Sequence, residues 1–401
     1  DALAVTPAER AIERAQTMVA ARPDAAAAHT SLGMALARRA RETADPAFYA
    51  RGMDAVDEAL TRAPDDFMAL RARAWILLGQ HEFAGARAAA EALHARAPDD
   101  LMTYALLVDA CVELGDYVCA EEAAQWLLDL RPGNVAGLTR AAYLRELFGD
   151  LDGAVELMSQ ALNRMPPDET EERAWLLVQL AHLNRAMRRL DVAERALDAA
   201  LVLFPDYHYA LGELAQLRRA QGRRDDAVAA AARHLEAAPH PEVRFEYARL
   251  LHAAGRNADA EREFARFVND AEAESTASDN ANRELVIYLL EHAQAPRAAL
   301  EIAEREARRR ADVRTLDVHA WALHHNGRSA EAWQTVSRAL AVGVRDPVIL
   351  FHAGLIAAAV GEDAPARQHL RDALAMAPWL DHATAARRHL ARLGEAARPA
   401  S

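Results

Sequence analysis

The side chains best suited to chemistry in this 401-residue chain are its 16 histidines, its arginines and its carboxylates. Imidazole with carboxylate binds divalent transition metals. A guanidinium fork binds a carboxylate. Acidic pairs such as Asp65-Asp66 and Asp99-Asp100 could in principle do acid–base work. No catalytic frame surrounds them: the sequence contains no P-loop, Gly-rich dinucleotide fingerprint, G-x-S-x-G, HExxH or CxxC. Each acidic pair instead follows a proline and precedes an apolar run, where a carboxylate caps a helix and meets its positive end. The expectation is a protein that is not an enzyme and carries no cofactor. Cys111 and Cys119 flank the Gly115-Asp116 turn. Cys111 falls on a packing face and Cys119 beside Ala120, so they are read as two small hydrophobes rather than a disulfide.

The elements that must position these groups are announced by punctuation. Pro64, Pro98, Pro132 and Pro166 stand 34 residues apart, and so do Pro205 and Pro239. Gly115, Ala120 and Pro132 are repeated in spacing by Gly149, Ala154, Pro166, by Gly222, Ala227, Pro239 and by Gly361, Ala366, Pro378. Gly255-Ala260 and Gly327-Ala332 keep two of the three. Glycine supplies the left-handed residue that ends a first helix, alanine lets a second helix approach closely, and proline stops that second helix. A fixed period of this size is a helix-turn-helix unit copied along a solenoid. No strand-like alternation persists, so the fold is expected to be all-α. The net charge is −13 and every basic residue is arginine, which argues against nucleic acid as a partner. The longest apolar runs, Leu355–Val360 among them, are far too short to span a membrane.

The units resemble the tetratricopeptide repeat family. Tyr104-x2-Leu107-Val108-x2-Cys111, Ala120-x3-Ala124 and Pro132 follow its pattern, as do Leu350-x2-Ala353-Gly354-x2-Ala357, Ala366-x3-Leu370 and Pro378. Leu211-x2-Leu214-Ala215, Ala227-x3-Ala231 and Pro239 form a third copy, and His29-x2-Leu32-Gly33-x2-Leu36 opens the first unit. The resemblance implies a right-handed superhelical solenoid of about ten helix pairs with capping helices at both ends. The layout is one domain: an N-terminal helix within 1–25, seven units over 26–272, an irregular joint at 273–281, three units over 282–380, and a capping helix and tail over 381–401. The beat slips at Arg41–Ala47, at Asp168–Glu172, where a longer loop is expected, and through Asp270–Ala281, a polar stretch read as a flexible joint. The second unit fits less cleanly, with Gly79 to Pro98 two residues too long.

In this family the first helix of each pair lines a concave groove. The resemblance therefore assigns Tyr143, Trp175, His182, Arg185, Tyr209, Arg219, Phe245, Arg249, Tyr288, Trp321 and Phe351 to that groove. Aromatic anchors and guanidinium forks there would hold a protein or extended peptide. The family's carboxylate clamp uses lysine, which this chain lacks, so it is not carried over. The alternative is a small ligand or divalent metal on His252, His292, His324 and His325, which map to the far ends of first helices in three adjacent units. The reading is a scaffold or assembly factor of a GC-rich bacterium. The start at Asp1 rather than Met suggests a mature, periplasmic or otherwise extracytoplasmic form, with the cytoplasm as alternative.

Overall fold

A computed structural model describes residues 5–396, so Asp1 and the tail beyond 396 lie outside the described residues. It contains 22 helices and, among the described residues, no strand. A single helix, α1 (Pro7–Ala21), precedes ten antiparallel pairs. The first five are α2 (Ala26–Thr43) with α3 (Ala47–Arg62), α4 (Phe67–Gly79) with α5 (Phe83–Arg96), α6 (Leu101–Glu113) with α7 (Tyr117–Leu130), α8 (Val135–Leu147) with α9 (Leu151–Arg164), and α10 (Thr170–Ala186) with α11 (Leu190–Leu203). The next five are α12 (His208–Ala220) with α13 (Arg224–Ala237), α14 (Pro241–Ala253) with α15 (Asn257–Glu274), α16 (Asn282–Glu291) with α17 (Pro296–Glu306), α18 (Val313–His325) with α19 (Ser329–Ala341), and α20 (Pro347–Ala359) with α21 (Asp363–Met376). A last helix, α22 (Ala383–Ala396), closes the stack. No described helix is long and apolar enough to cross a membrane.

Local chemistry sets these boundaries. Asp66 and Asp100 accept the backbone N–H of Ala69 and Thr103, both at 2.8 Å, and so start α4 and α6. The landmark alanines Ala120, Ala154, Ala260, Ala332 and Ala366 are wholly buried where paired helices cross. The slips in the beat do not all become loops. Asp168–Glu172 was expected to lengthen a connection, but α10 begins at Thr170 and absorbs most of it as an extra helical turn. The stretch read as a flexible joint is in part the end of α15, and its remainder is tied down. Asn282 Nδ2 donates to the Ser275 carbonyl at 3.0 Å, and Arg309 donates to the carbonyls of Thr276 and Ala277.

The two cysteines form a disulfide, contrary to the expectation of two inert thiols. The three-residue turn after α6 places the first turn of α7 beside the last turn of α6, and the two Cα atoms lie 5.9 Å apart. The bond closes a short loop, for which chain entropy gives about 2 kcal/mol. Cys111→Ser with Cys119→Ser, or reduction of the native protein, should therefore lower the melting temperature by a few degrees (roughly 2–4 °C per kcal/mol in a chain of this size). Calorimetry with and without dithiothreitol reads this directly.

The solenoid coils until it meets itself. His240 Nε2 bonds the Ala44 carbonyl, Ser278 Oγ donates to Glu82 at 2.5 Å, and Val313 N–H donates to Tyr117 Oη at 3.1 Å, each across 196 positions of sequence. Ala311 N–H donates to the Glu113 carbonyl at 3.1 Å, and Arg188 bonds the Ala375 carbonyl and lies over the Trp379 ring. The rule is regular: the turn inside one unit touches the loop that enters the unit six places later. One superhelical turn therefore takes a little under six units, and a seam runs between successive turns.

The seam explains the backbone of the repeat turns. Six of these ten turns carry a positive-φ glycine, and four carry Ala44, His81, Arg188 and Gln294 with φ of 53°, 59°, 61° and 51°. The first three are seam residues, and contacts across the seam help to hold them in a conformation that side chains disfavour. His81, not Gly79, is the turn residue of the second unit, which removes the two-residue misfit. Among the glycines, a Cβ on Gly115 would stand 2.4 Å from the Ala311 carbonyl oxygen, and one on Gly149 2.8 Å from that of Gly343. Gly222, Gly255, Gly327 and Gly361 have nothing within 4 Å of that position.

Candidate functional site: an internal lumen

Because the turns touch, the concave face is a narrow lumen rather than an open groove. Its walls are the first helices of the pairs. Cavities of about 460 and 530 Å³ share Gly212, Glu213, His234, Glu242, Val243 and Arg314, and a third of about 270 Å³ again includes Arg314. They are chambers of one channel centred on the first turn of α18.

Several groove assignments fall in this lumen. Tyr143 and Tyr209 are 43% and 41% exposed, although protein surrounds them on most sides. Burial pushes the Tyr143 phenol up to about 12, so it stays a hydrogen-bond donor. His182 Nε2 bonds Glu146 at 2.7 Å, and its Nδ1 lies 3.6 Å from Glu213. Burial alone would strip the imidazole of its proton, but the two carboxylates outweigh it and raise its pKa to about 9. Arg185 forks onto Glu213, and that carboxyl is held down at about 2, against burial, by Arg185 and His182. Arg219 and Arg249 converge on Asp381, each at 2.6 Å. All three arginines therefore hold carboxylates of this chain rather than standing free for a ligand. Asp381 comes from the loop before α22, more than 130 residues away, and no local pattern announces it.

Other assigned rings sit deeper. Phe245, Trp321 and Phe351 are mostly buried, with Phe245 at the edge of the chamber of about 460 Å³ and Trp321 and Phe351 at the edge of another cavity. Phe245 packs on Phe264 and Phe267, and Trp321 stacks on His352 with ring centroids 4.2 Å apart. Tyr288 lies against Phe264, Phe267 and His292, between helices. Large rings at the margin of the lumen stripe fill the sockets left by small residues on the neighbouring helix, where their apolar area is best removed from water. Trp175 is half-buried, with the Arg41 guanidinium 5.6 Å from its ring.

The histidine set does not make a metal centre. His252 and His292 meet edge to face at 6.1 Å, and His292 rests on Phe264 at 4.4 Å. His324 and His325 pack instead around Trp321. Among the described residues the one group of three ligand atoms within 4.8 Å is Cys111, Asp116 and Cys119, whose two sulfurs are already bonded to each other.

The lumen also contains a cation outside the set of binding residues named above. Among the described residues the Arg314 guanidinium makes no hydrogen bond and no ion pair within 4.0 Å. It stands exposed at the junction of three chambers, with Tyr143, Glu146 and Asp346 around it. Its position in the first turn of α18 follows from helical phase; its lack of a partner depends on what the other turns bring.

A model of the tetratricopeptide repeat matches residues 178–240 and 213–275. No curated protein matches the chain. Among solved structures, a human IFIT1 dimer with PPP-AAAA is 15% identical, with 91% of this chain and 85% of that one covered and a TM-score of 0.50. PilW, a widely conserved type IV pilus biogenesis factor, is 15% identical over 51% of this chain and 94% of its own, with a TM-score of 0.44. A tetratricopeptide repeat protein from Parabacteroides merdae is 18% identical over 65% of this chain and 98% of its own, at 0.38. At such identities the likeness is one of fold. The matched segment runs from within α10 to the end of α15, and the same pairing of helices continues on both sides of it: the chain has the fold of a tetratricopeptide-repeat solenoid.

Proposed function

We propose that this protein is a non-catalytic scaffold that takes an extended segment of a protein partner into its lumen. The observation that carries the reading is the contrast inside the channel. Arg185, Arg219 and Arg249 are neutralised from within, whereas Arg314, Tyr143 and Tyr209 offer a guanidinium and two phenols to whatever enters. A carboxylate of the partner suits Arg314, and backbone carbonyls suit the phenols. The acidic balance of the chain, together with Glu146, Glu213, Glu242 and Asp346 in the walls, favours a polypeptide over a nucleic acid. The disulfide supports work in an oxidising compartment outside the cytoplasm.

Photo-crosslinking tests this. A benzophenone side chain at Tyr143 or Tyr209 should trap a polypeptide partner in native extract, while one at Val202, which is 82% exposed on α11, should not. Arg314→Ala should weaken the captured complex about tenfold, near 1.4 kcal/mol. Crosslinks arising from Val202 alone would overturn the lumen as the binding site.

A further inference from the structure

The charges that line the chamber of about 460 Å³ do not cancel evenly. Most are matched from within. Glu213 and Arg249 are paired as described above. Glu246 accepts from Gln216 at 2.6 Å, Glu291 pairs with His382 at 3.1 Å, and Arg283 leans on Asp312 at 3.7 Å. Three charges are left over. Among the described residues Glu242 and Glu284, like Arg314, make no ion pair within 4.0 Å. They stand in the first turns of α14, α16 and α18, three successive first helices, so the wall reads acid, acid, base along the coil. The positive end of a helix favours an acid in its first turn, which accounts locally for Glu242 and Glu284. It disfavours a guanidinium, so Arg314 is placed against its own helix. Asp346 beside it already accepts the N–H groups of Val348 and Ile349, at 2.8 and 3.2 Å. Burial, reinforced by Glu284 and Asp279, pushes the Glu242 carboxyl up despite His240. A cation brought beside the two acids would relieve this. The chamber has one more unsatisfied group. Asp317 holds His352 Nδ1 at 2.9 Å, but Nε2 of this residue has no partner, and the residue is 1% exposed. A buried ring nitrogen is costly to leave unpaired, and a polar backbone atom of an occupant would satisfy it.

We propose that the segment entering the lumen carries a cationic and an anionic side chain about three residues apart, the cation facing Glu242 and Glu284 and the anion facing Arg314, and that this dipolar pattern selects the partner. The spacing follows from helix packing. Neighbouring helices stand roughly 8–10 Å apart. An extended chain advances about 3.1–3.3 Å per residue, so about three residues carry it from α16 to α18. Ligands of a single sign fit worse: a polyanion meets the two acids, and a polycation meets Arg314. The proposal rests on the lumen as the partner site and adds what that site selects.

Fluorescein-labelled, end-capped peptides of Ser and Ala test this by anisotropy. One set carries Lys-x-x-Asp in either chain order; the controls place Lys and Asp side by side, or replace Lys by Gln or Asp by Asn. In one of its two orders the spaced pair should bind about tenfold tighter than every control. Glu242→Gln with Glu284→Gln should erase the advantage of Lys over Gln in the peptide and keep that of Asp over Asn. Arg314→Gln should do the converse. Thermal melting checks that the variants fold, and the peptide comparisons on the unmodified protein stand whether or not they do. Equal binding of spaced, adjacent and neutralised peptides would overturn the proposal, as would protein variants that weaken all peptides alike. Peptides that fail to discriminate while a benzophenone at Tyr143 still captures a polypeptide would remove the charge pattern and leave the lumen as the binding site. Loss of both would remove the lumen as well.

Discussion

Replacing Gly115 by alanine should cost more than the same change at Gly222, although the two glycines end equivalent helices with nearly the same φ, 73° and 76°. Alanine in the left-handed region costs roughly 1–2 kcal/mol wherever it is placed. At Gly222 that is the whole effect, because a Cβ would meet nothing within 4 Å. At Gly115 the Cβ would stand 2.4 Å from the Ala311 carbonyl oxygen and 3.1 Å from the Ala311 Cβ. The obstacle is mostly backbone, and that backbone is fixed by the bond from Ala311 N–H to the Glu113 carbonyl. It cannot rotate away as a flexible side chain could, so the turns must part. Overpacking of this kind adds about 1–3 kcal/mol. Gly115→Ala should thus lose about 2–5 kcal/mol by denaturant unfolding, and small-angle scattering should show a larger radius of gyration. Gly222→Ala and Gly361→Ala should lose only the first part and keep the parent radius. Equal losses and equal radii at Gly115 and Gly222 would mean that the seam does not hold in solution.

The same comparison shows what a single sequence can reveal. Helix pairs are local objects, and the proline, glycine and alanine at fixed intervals state the local rules for making them. The repeat was therefore legible almost throughout. It blurred at the first, second, fifth and eighth units, where Ala44, His81, Arg188 and Gln294 occupy the glycine's place. For the first three a reason lies outside the unit: each contacts a residue nearly 200 positions away. His81 stands 17 residues before Pro98, as Gly115 does before Pro132, yet a histidine there signals nothing by its type.

The lumen divides in the same manner. Helical phase places Tyr143, His182, Arg185, Tyr209, Arg219 and Arg249 on its walls, since phase is a property of one helix. Whether a wall residue is satisfied or free is a property of two turns at once. Asp381 silences Arg219 and Arg249, and nothing in their own units could show it. Phase also does not tell how deep Phe245, Trp321 and Phe351 sit, almost wholly buried at the cavity margins. A ring bordering the stripe goes into the core when the neighbouring helix offers a socket, and socket depth is set by the small residues of that neighbour.

The largest single electrostatic effect is expected where α2 meets α10. Glu171 is 4% exposed and accepts both forks of Arg41, at 3.1 and 2.9 Å, together with the hydroxyl of the fully buried Tyr207. Burial, reinforced by Glu171, drives the Tyr207 phenol far above its ordinary range, so it stays a donor at any working pH. The two ends of the ion pair differ in their access to water, and that decides the order of the variants. The Arg41 side chain is a third exposed, so a guanidinium left alone can rehydrate in the lumen. Glu171 cannot. Arg41→Ala strands a buried carboxylate and should cost about 3–5 kcal/mol. Glu171→Ala strands only a partly hydrated cation and the Tyr207 hydroxyl, and should cost about 2–3 kcal/mol. The double variant removes both partners and should cost less than the sum, giving a coupling energy of about 1–3 kcal/mol in the mutant cycle. Urea unfolding of the four proteins measures all of this. An Arg41→Ala deficit smaller than that of Glu171→Ala would show that the carboxylate is reached by water, and that the end of α2 does not seal the lumen wall.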